Sequence, residues 1–185
     1  GAHLAQAGAT LENPYIKIIV STQGTMNMGT TGGNPDVSGD ENKALLFGYP
    51  APRETGFPSA RIIKGDKTID VRLSDQPPAM GPERQDDTIV PRWEPDGVEI
   101  VQTIGYFVNP YSDLPDMALI EYTLRNTDDE AAQVGVRTMF DIQVGNNDYA
   151  PFFMPGVGDT TREYSGQGDS LPQYFKSYES PVFSE

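Results

Sequence analysis

Apolar and polar residues alternate with a period of two along much of this chain, as the two faces of a half-buried β-strand require. Residues 15–21 alternate in this way and predict a first strand. Residues 60–73 predict a hairpin, because two alternating runs meet at Gly65-Asp66 and glycine permits the positive φ of a tight type II′ turn.

A second hairpin is predicted from residues 88–93 and 98–108, which flank the turn at residues 95–97. Two other stretches predict loops. Residues 24–42 are rich in Gly, Thr, Asn and Asp, and residues 74–85 contain three prolines that remove backbone donors.

The clearest alternation lies in residues 117–125 and 133–144, which are separated by the polar residues 126–132. If these two strands pair symmetrically about the loop, Glu121 lies opposite Arg137. The apolar face that they share is predicted to be core, and it carries Ala118, Ile120, Tyr122, Leu124, Val134, Val136, Phe140, Ile142 and Val144.

These patterns predict an all-β protein, an antiparallel β-sandwich with long irregular loops and little helix. The content of 19 glycines and 16 prolines agrees with short strands joined by many turns. Residues 1–13 are predicted to be a flexible leader, and residues 14–185 a single sandwich domain that is a piece of a larger protein.

The charge of the chain bears on its partners. There are 27 acidic and 13 basic residues, a formal net charge of −14. Such a charge repels the phosphate backbone of nucleic acid and anionic lipid headgroups, and no stretch approaches the roughly 20 apolar residues of a spanning helix. We therefore expect neither nucleic-acid binding nor membrane insertion.

The residue types present exclude several chemistries. Cysteine is absent and His3 is the only histidine, so thiolate chemistry, His-based triads and two-His metal sites are not expected. The small-x-small pattern Ala5-Gln6-Ala7 is similar to a signal-peptidase site and suggests an exported or cell-surface protein, although an ordinary Ala-rich leader explains it equally well.

One loop has the spacing of a calcium site. Oxygen-bearing side chains stand at every second position before and after Gly39, as ligands of a hard cation do. The predicted calcium ligands are Asn34, Asp36, Ser38 and Asp40. Leu45 stands where a bidentate Glu belongs, so a solvated Asp-rich turn is the alternative, and no other cofactor is expected.

Paired carboxylates are the remaining catalytic possibility. Asp141 lies on the polar face of the last long strand and Asp148 follows its end, so the two, or Asp141 with Glu121, are candidates for the acid and base of a glycosidase. Asp and Asn also favour turns for local reasons, which is the alternative explanation.

Aromatic side chains offer flat surfaces on which sugar rings stack. The candidates are Trp93, Tyr106, Tyr149, Phe152 and Phe153. Trp93 and Tyr106 lie on alternating strands, where core packing is the alternative, whereas Tyr149 lies in a loop.

The segments 125–128 and 136–141 resemble the strand-loop-strand of large β-supersandwich domains, the galactose mutarotase-like proteins and sandwich domains of glycoside-processing enzymes. The resemblance covers residues 57–145. It implies two large antiparallel sheets with a polar concave face that meets carbohydrate. The residues of that face would be Glu99, Thr103, Glu121, Thr123, Arg137, Asp141 and Gln143. Mutarotases use His and Glu in catalysis, and because His3 is the only histidine here, the resemblance implies the fold without that activity.

The sequence therefore favours a non-catalytic, carbohydrate-associated sandwich module at the cell surface or outside the cell. Its predicted ligand-binding residues are Glu121, Arg137, Asp141, Asp148 and Tyr149. A carbohydrate-active enzyme with paired carboxylates and a purely structural spacer domain are the alternatives.

Overall fold

The computed structural model describes residues 7–51, 55–161 and 164–179. Almost all of its regular structure is β, as the alternation predicts, and the described helical residues form only short 3₁₀ turns. No helix within these ranges is long and apolar enough to cross a membrane. The strands are β1 (Ala7–Glu12), β2 (Ile16–Ser21), β3 (Met26–Thr30), β4 (Phe57–Lys64), β5 (Lys67–Arg72), β6 (Met80–Gln85), β7 (Thr88–Trp93), β8 (Val98–Phe107), β9 (Met117–Asn126), β10 (Gln133–Met139), β11 (Phe152–Met154), β12 (Gly158–Thr160) and β13 (Lys176–Ser177).

The strands form antiparallel sheets that pack as a sandwich. One layer is the four-stranded sheet β6-β7-β8-β9. The three-stranded sheets β1-β2-β3 and β10-β4-β5 pack against two parts of its inner face. A small sheet, β12-β11-β13, lies near the C-terminal end of the described chain.

Two apolar clusters fill the space between the layers, and both include residues of β7 and β8. The first contains Leu11, Ile18, Val20, Met26, Leu46, Ile89 and Ile104. The second contains Ala60, Ile62, Leu73, Trp93, Val98 and Ile100. The four-stranded sheet thus connects both parts of the core, because alternate residues of its strands point inward.

The predicted hairpins are confirmed. β4 pairs with β5 across Gly65, whose φ of +52° is the positive value that the turn requires. β7 pairs with β8, and β2 occupies the first predicted strand.

Three segments expected to lack strands contain them. β1 covers residues 7–12, so the predicted leader is wrong for these residues, while residues 1–6, including His3, lie outside the described ranges. β3 forms within the predicted loop 24–42, where Met26 is buried and its strand pairs with β2. β6 forms within 74–85 despite Pro82, because it is an edge strand of its sheet and its register shifts between Met80 and Glu83.

The predicted pairing of the last two long strands is wrong. Both strands exist, but Glu121 of β9 lies opposite Thr103 of β8, and Arg137 of β10 lies opposite Ser59 of β4. Residues 127–132 carry the chain from one layer to the other, so the two strands face each other across the core. The shared apolar face therefore meets across the sandwich, where the Tyr122 hydroxyl is hydrogen-bonded to the Thr138 hydroxyl at 2.7 Å. The core prediction is wrong for Leu124 and Phe140, which are 40% and 37% exposed because they lie near or beyond the ends of the facing strands.

Candidate functional site: an arginine-lined depression on the outer sheet face

An open depression of about 600 Å³ lies on the outward face of the sheet β10-β4-β5. Such a volume falls within the roughly 300–1,000 Å³ typical of small-ligand sites. Its residues come from all three strands: Phe57, Ser59, Ala60, Arg61, Asp70, Val71, Arg72, Gly135, Val136 and Arg137.

Strand register explains why a depression forms here. Arg137, Ser59 and Arg72 lie side by side across the sheet, and Gly135, Arg61 and Asp70 form the next row on the same face. Gly135 carries no side chain, and a Cβ placed there would meet no atom within 4 Å. The short side chain of Ser59 and the bare backbone of Gly135 therefore leave a hollow between longer neighbours.

Arg61 and Asp70 form one wall of the depression. The Arg61 Nε donates to Asp70 Oδ1 at 2.7 Å, and Nη2 donates to Oδ2 at 2.8 Å. This hydrogen bond is the main reason that the pKa of Asp70 is lowered, and the nearby charge of Arg137 lowers it further. An exposed pair of this kind contributes little to stability, so its main effect is to hold two planar polar groups in position.

Arg72 and Arg137 occupy opposite sides of Ser59. The guanidinium of Arg72 lies 3.7 Å from the centre of the Phe57 ring, and its Nε donates to Ser74 Oγ at 2.9 Å. Its Nε also lies 3.4 Å from Asp75 Oδ1, so Arg72 is held by Phe57 of β4 and by two residues that follow β5. The Arg137 guanidinium forms no hydrogen bond or ion pair with the described residues.

The structure separates the predicted ligand-binding residues. Arg137 lies in the depression, whereas Glu121 lies on the outward face of the other layer together with Glu99, Thr103 and Thr123. The continuous polar face that the sequence predicts, running from Glu99 to Arg137, therefore does not exist as one surface. On the four-stranded sheet, Glu99 accepts hydrogen bonds from two arginines, Arg92 and Arg125.

Asp141 and Asp148 do lie near each other. The pKa of Asp141 is raised, first because the carboxyl is partly buried and second because of the negative charge of Asp148, while a hydrogen bond with Thr55 opposes the shift. Tyr149 is 88% exposed beside them in the chain. That Asp141, Asp148 and Tyr149 bind or transform a ligand stays a prediction.

A smaller hollow of about 370 Å³ is lined in part by residues that lie between Asp141 and Asp148 in the chain. Lys43, Tyr49, Gln143 and Asn146 are among its lining residues. Glu179 accepts hydrogen bonds from Lys43 Nζ at 3.1 and 3.0 Å and from the Asn146 backbone at 3.2 Å, so the lysine is already neutralised.

The predicted calcium loop is organised by hydrogen bonds between its own residues. The backbone N–H of Asn34 donates to Asp40 Oδ2 at 2.8 Å, and that of Asp36 donates to Asn34 Oδ1 at 3.0 Å. Asp36 and Ser38 are exposed. In the described ranges, no three His, Cys, Asp or Glu side chains are grouped so as to hold a metal ion, and calcium binding stays a prediction.

The aromatic candidates differ in exposure. Trp93 is 1% exposed and belongs to the second core cluster, so it offers no surface to a sugar. Tyr106 packs against the first cluster, and burial raises its pKa to about 12. Phe152 and Phe153 are half-buried in β11, and the centres of the Phe152 and Phe175 rings lie 5.5 Å apart in an edge-to-face arrangement.

Sequence reasoning found one residue of the depression, Arg137, and missed Ser59, Arg61, Asp70 and Gly135. The hairpin turn at Gly65-Asp66 already places Arg61 opposite Asp70, so this pair was available from register. The position of β10 beside β4 was not available from the sequence, because that pairing joins residues at least 70 positions apart in the chain.

Comparison with known proteins found no match to a family model, a curated protein or a solved structure. The likeness to galactose mutarotase-like domains therefore stays a prediction.

Proposed function

We propose that this protein is a non-catalytic, carbohydrate-binding β-sandwich module, exported or surface-exposed, whose ligand lies in the arginine-lined depression. The observation that carries the proposal is the combination of an open hollow of about 600 Å³ with fixed polar groups along its walls. A sugar presents several hydroxyl groups that each donate and accept hydrogen bonds, and such a site suits them.

The walls supply both kinds of hydrogen-bonding group. Arg61 presents donors in a planar fork and Asp70 presents acceptor oxygens, and their mutual hydrogen bonds hold both in place. Preorganised groups bind with a smaller entropy cost than mobile side chains. The backbone and small side chains of the floor allow a ring to approach closely.

A substitution at Gly135 tests this proposal. A Cβ at this position meets no atom and the backbone does not have a positive φ, so Gly135→Val adds a side chain without strain. We expect the unliganded protein to gain about 0.5–1 kcal/mol in stability, because glycine weakens a strand. The same side chain takes up space on the floor of the hollow, where the ligand is proposed to lie, so ligand binding is expected to be lost.

The measurement is a thermal-melt screen of the wild type against mono- and oligosaccharides, followed by titration of the best sugar. A ligand at about 100 times its Kd adds about 2.7 kcal/mol to stability. Gly81→Val is the matched control, because Gly81 also lies in a strand with open space at its Cβ, on β6. The sugar should stabilise the wild type and the Gly81 variant but not the Gly135 variant.

Two results would contradict the proposal. A stabilising sugar that still binds the Gly135 variant occupies another surface. No stabilisation by any sugar in the screen favours the structural-spacer alternative.

A further inference from the structure

We infer that the ligand of the depression is an acidic oligosaccharide of the uronate class, whose carboxylate binds Arg137. This inference rests on the proposed function and specifies its substrate class. It follows from the local charge of the depression, the state of Arg137 and the order of residues across the sheet.

The depression concentrates positive charge on an acidic protein. Three arginines and one aspartate line it. Arg61 pairs with Asp70, and Arg72 pairs with Asp75 just outside the hollow. The charge of Arg137 is therefore the local positive excess, on a chain whose formal net charge is −14. At physiological ionic strength, charges more than about 8 Å apart are largely screened in solvent. The local excess therefore decides which groups are attracted into the hollow.

Arg137 differs from most basic side chains of the described chain, which pair with a carboxylate. Arg125 and Arg92 donate to Glu99, Lys43 donates to Glu179, and Lys64 donates to Asp128. The Arg137 guanidinium has no such acceptor within the described ranges. Its donors are therefore free to form the bidentate pair that guanidinium makes with a carboxylate.

Arg137 and Asp70 lie on different strands of the sheet, so the two sides of the depression suit different groups of a sugar. Arg137 lies on β10, whereas Asp70 lies on β5, with β4 between them. Two strand spacings separate their backbones by roughly 10 Å. A carboxylate is repelled by Asp70 and attracted by Arg137, so it occupies the β10 side and leaves the sugar hydroxyls to Arg61 and Asp70. A uronate carries these two kinds of group on one ring.

The experiment measures Kd by calorimetry for matched acidic and neutral ligands. Short oligomers of galacturonate, glucuronate and mannuronate are each compared with their methyl esters, which keep the sugar and remove the charge. A glutamate tetrapeptide tests whether carboxylates alone are sufficient. For at least one sugar, the wild type should bind the acid about tenfold more tightly than the ester.

The variant Arg137→Gln should reduce this preference to within about twofold. Arg84→Gln is the control, because it makes the same charge change on β6, where the Arg84 side chain donates only to a backbone oxygen. It should keep the full preference. Arg137 is exposed, and circular dichroism checks that both variants fold.

Each other outcome overturns a specific claim. If an ester binds the depression as tightly as its acid, the inference fails and the proposed function stands. If neither acids nor neutral sugars bind, the proposed function fails as well. If the tetrapeptide binds as tightly as the acids, the ligand is an anion of another class.

Discussion

At the scale of single residues, Tyr122 connects the two layers of the sandwich through its hydroxyl. Gln102 Nε2 donates to this hydroxyl at 2.7 Å from within the four-stranded sheet, and Thr138 contacts it from the opposite layer. Gln102 is fully buried. Burial raises the pKa of Tyr122, and the hydrogen bonds to Thr138 and Gln102 oppose the shift, so the ring stays neutral at physiological pH.

The variant Tyr122→Phe removes this hydroxyl and leaves the Gln102 amide nitrogen without its acceptor. We expect the free energy of unfolding, measured by urea denaturation, to fall by about 1–3 kcal/mol. Tyr111→Phe is the control, because Tyr111 is 98% exposed, and it should change stability by less than about 0.5 kcal/mol.

A double variant separates the hydrogen bond from the packing of the ring. Gln102→Leu combined with Tyr122→Phe removes both polar groups, so it should recover part of the lost stability. If Tyr122→Phe is as stable as the wild type, the hydroxyl does not hold the layers together.

At the scale of elements, Lys64 at the end of β4 anchors the turn between β7 and β8 and the loop that joins β9 to β10. Its side chain is buried, and Nζ donates to the Asp96 carbonyl at 2.5 Å and to Asp128 Oδ2 at 2.7 Å. The hydrogen bond with Asp128 is the main reason that the pKa of Lys64 is raised and the main reason that the pKa of Asp128 is lowered. This contact fixes the loop that carries the chain from β9 to β10.

These pKa shifts predict a pH window for the stability that the contact supplies. Because the pKa of Lys64 is raised in the folded protein, the protonated lysine contributes stability that is fully present below pH 10.5, its ordinary pKa. This stability is lost as the pH rises through the raised pKa. Because the pKa of Asp128 is lowered in the folded protein, the ionised carboxylate contributes stability that is fully present above pH 3.8, its ordinary pKa. This stability is lost as the pH falls through the lowered pKa. The contribution is therefore greatest between these limits.

Asp128→Asn should be less stable than the wild type at neutral pH, because it leaves the charge of Lys64 buried without its carboxylate. In urea denaturation across a pH series, this difference should shrink towards both extremes. Asp129→Asn makes the same charge change in the same loop and should be nearly neutral. A difference for Asp128→Asn that stays constant in strong acid would show that the ion pair is not its cause.

At the scale of the whole molecule, the four-stranded sheet contributes to both apolar clusters. Ile89 and Ile104 belong to the first cluster, and Trp93 and Ile100, from the same two strands, belong to the second. A sheet that supports both parts of the core couples their unfolding. We therefore expect one cooperative transition for the described sandwich.

Trp93 is the only tryptophan in the chain and reports on this coupling. Ile18→Val in the first cluster and Ile62→Val in the second should each cost about 0.5–1.5 kcal/mol. In each variant, the unfolding midpoint measured by Trp93 fluorescence should shift by the same amount as the midpoint measured by circular dichroism. An Ile18→Val variant that leaves the fluorescence midpoint unchanged would show two independent units.

The sequence by itself determined the all-β class, the hairpins around Gly65 and Gly97 and the inward face of β9, because alternation and tight turns act between residues close in the chain. Only the tertiary structure decided that β9 and β10 face each other across the core and that β10 pairs with β4. Two arrangements would bury the same alternating face of these strands: β9 and β10 could pair symmetrically about residues 126–132, or the chain could pass to the other layer. The local pattern does not distinguish these two arrangements. The depression depends on that choice, because it places Arg137 and Gly135 beside Ser59 and Arg61, which are far away in the sequence.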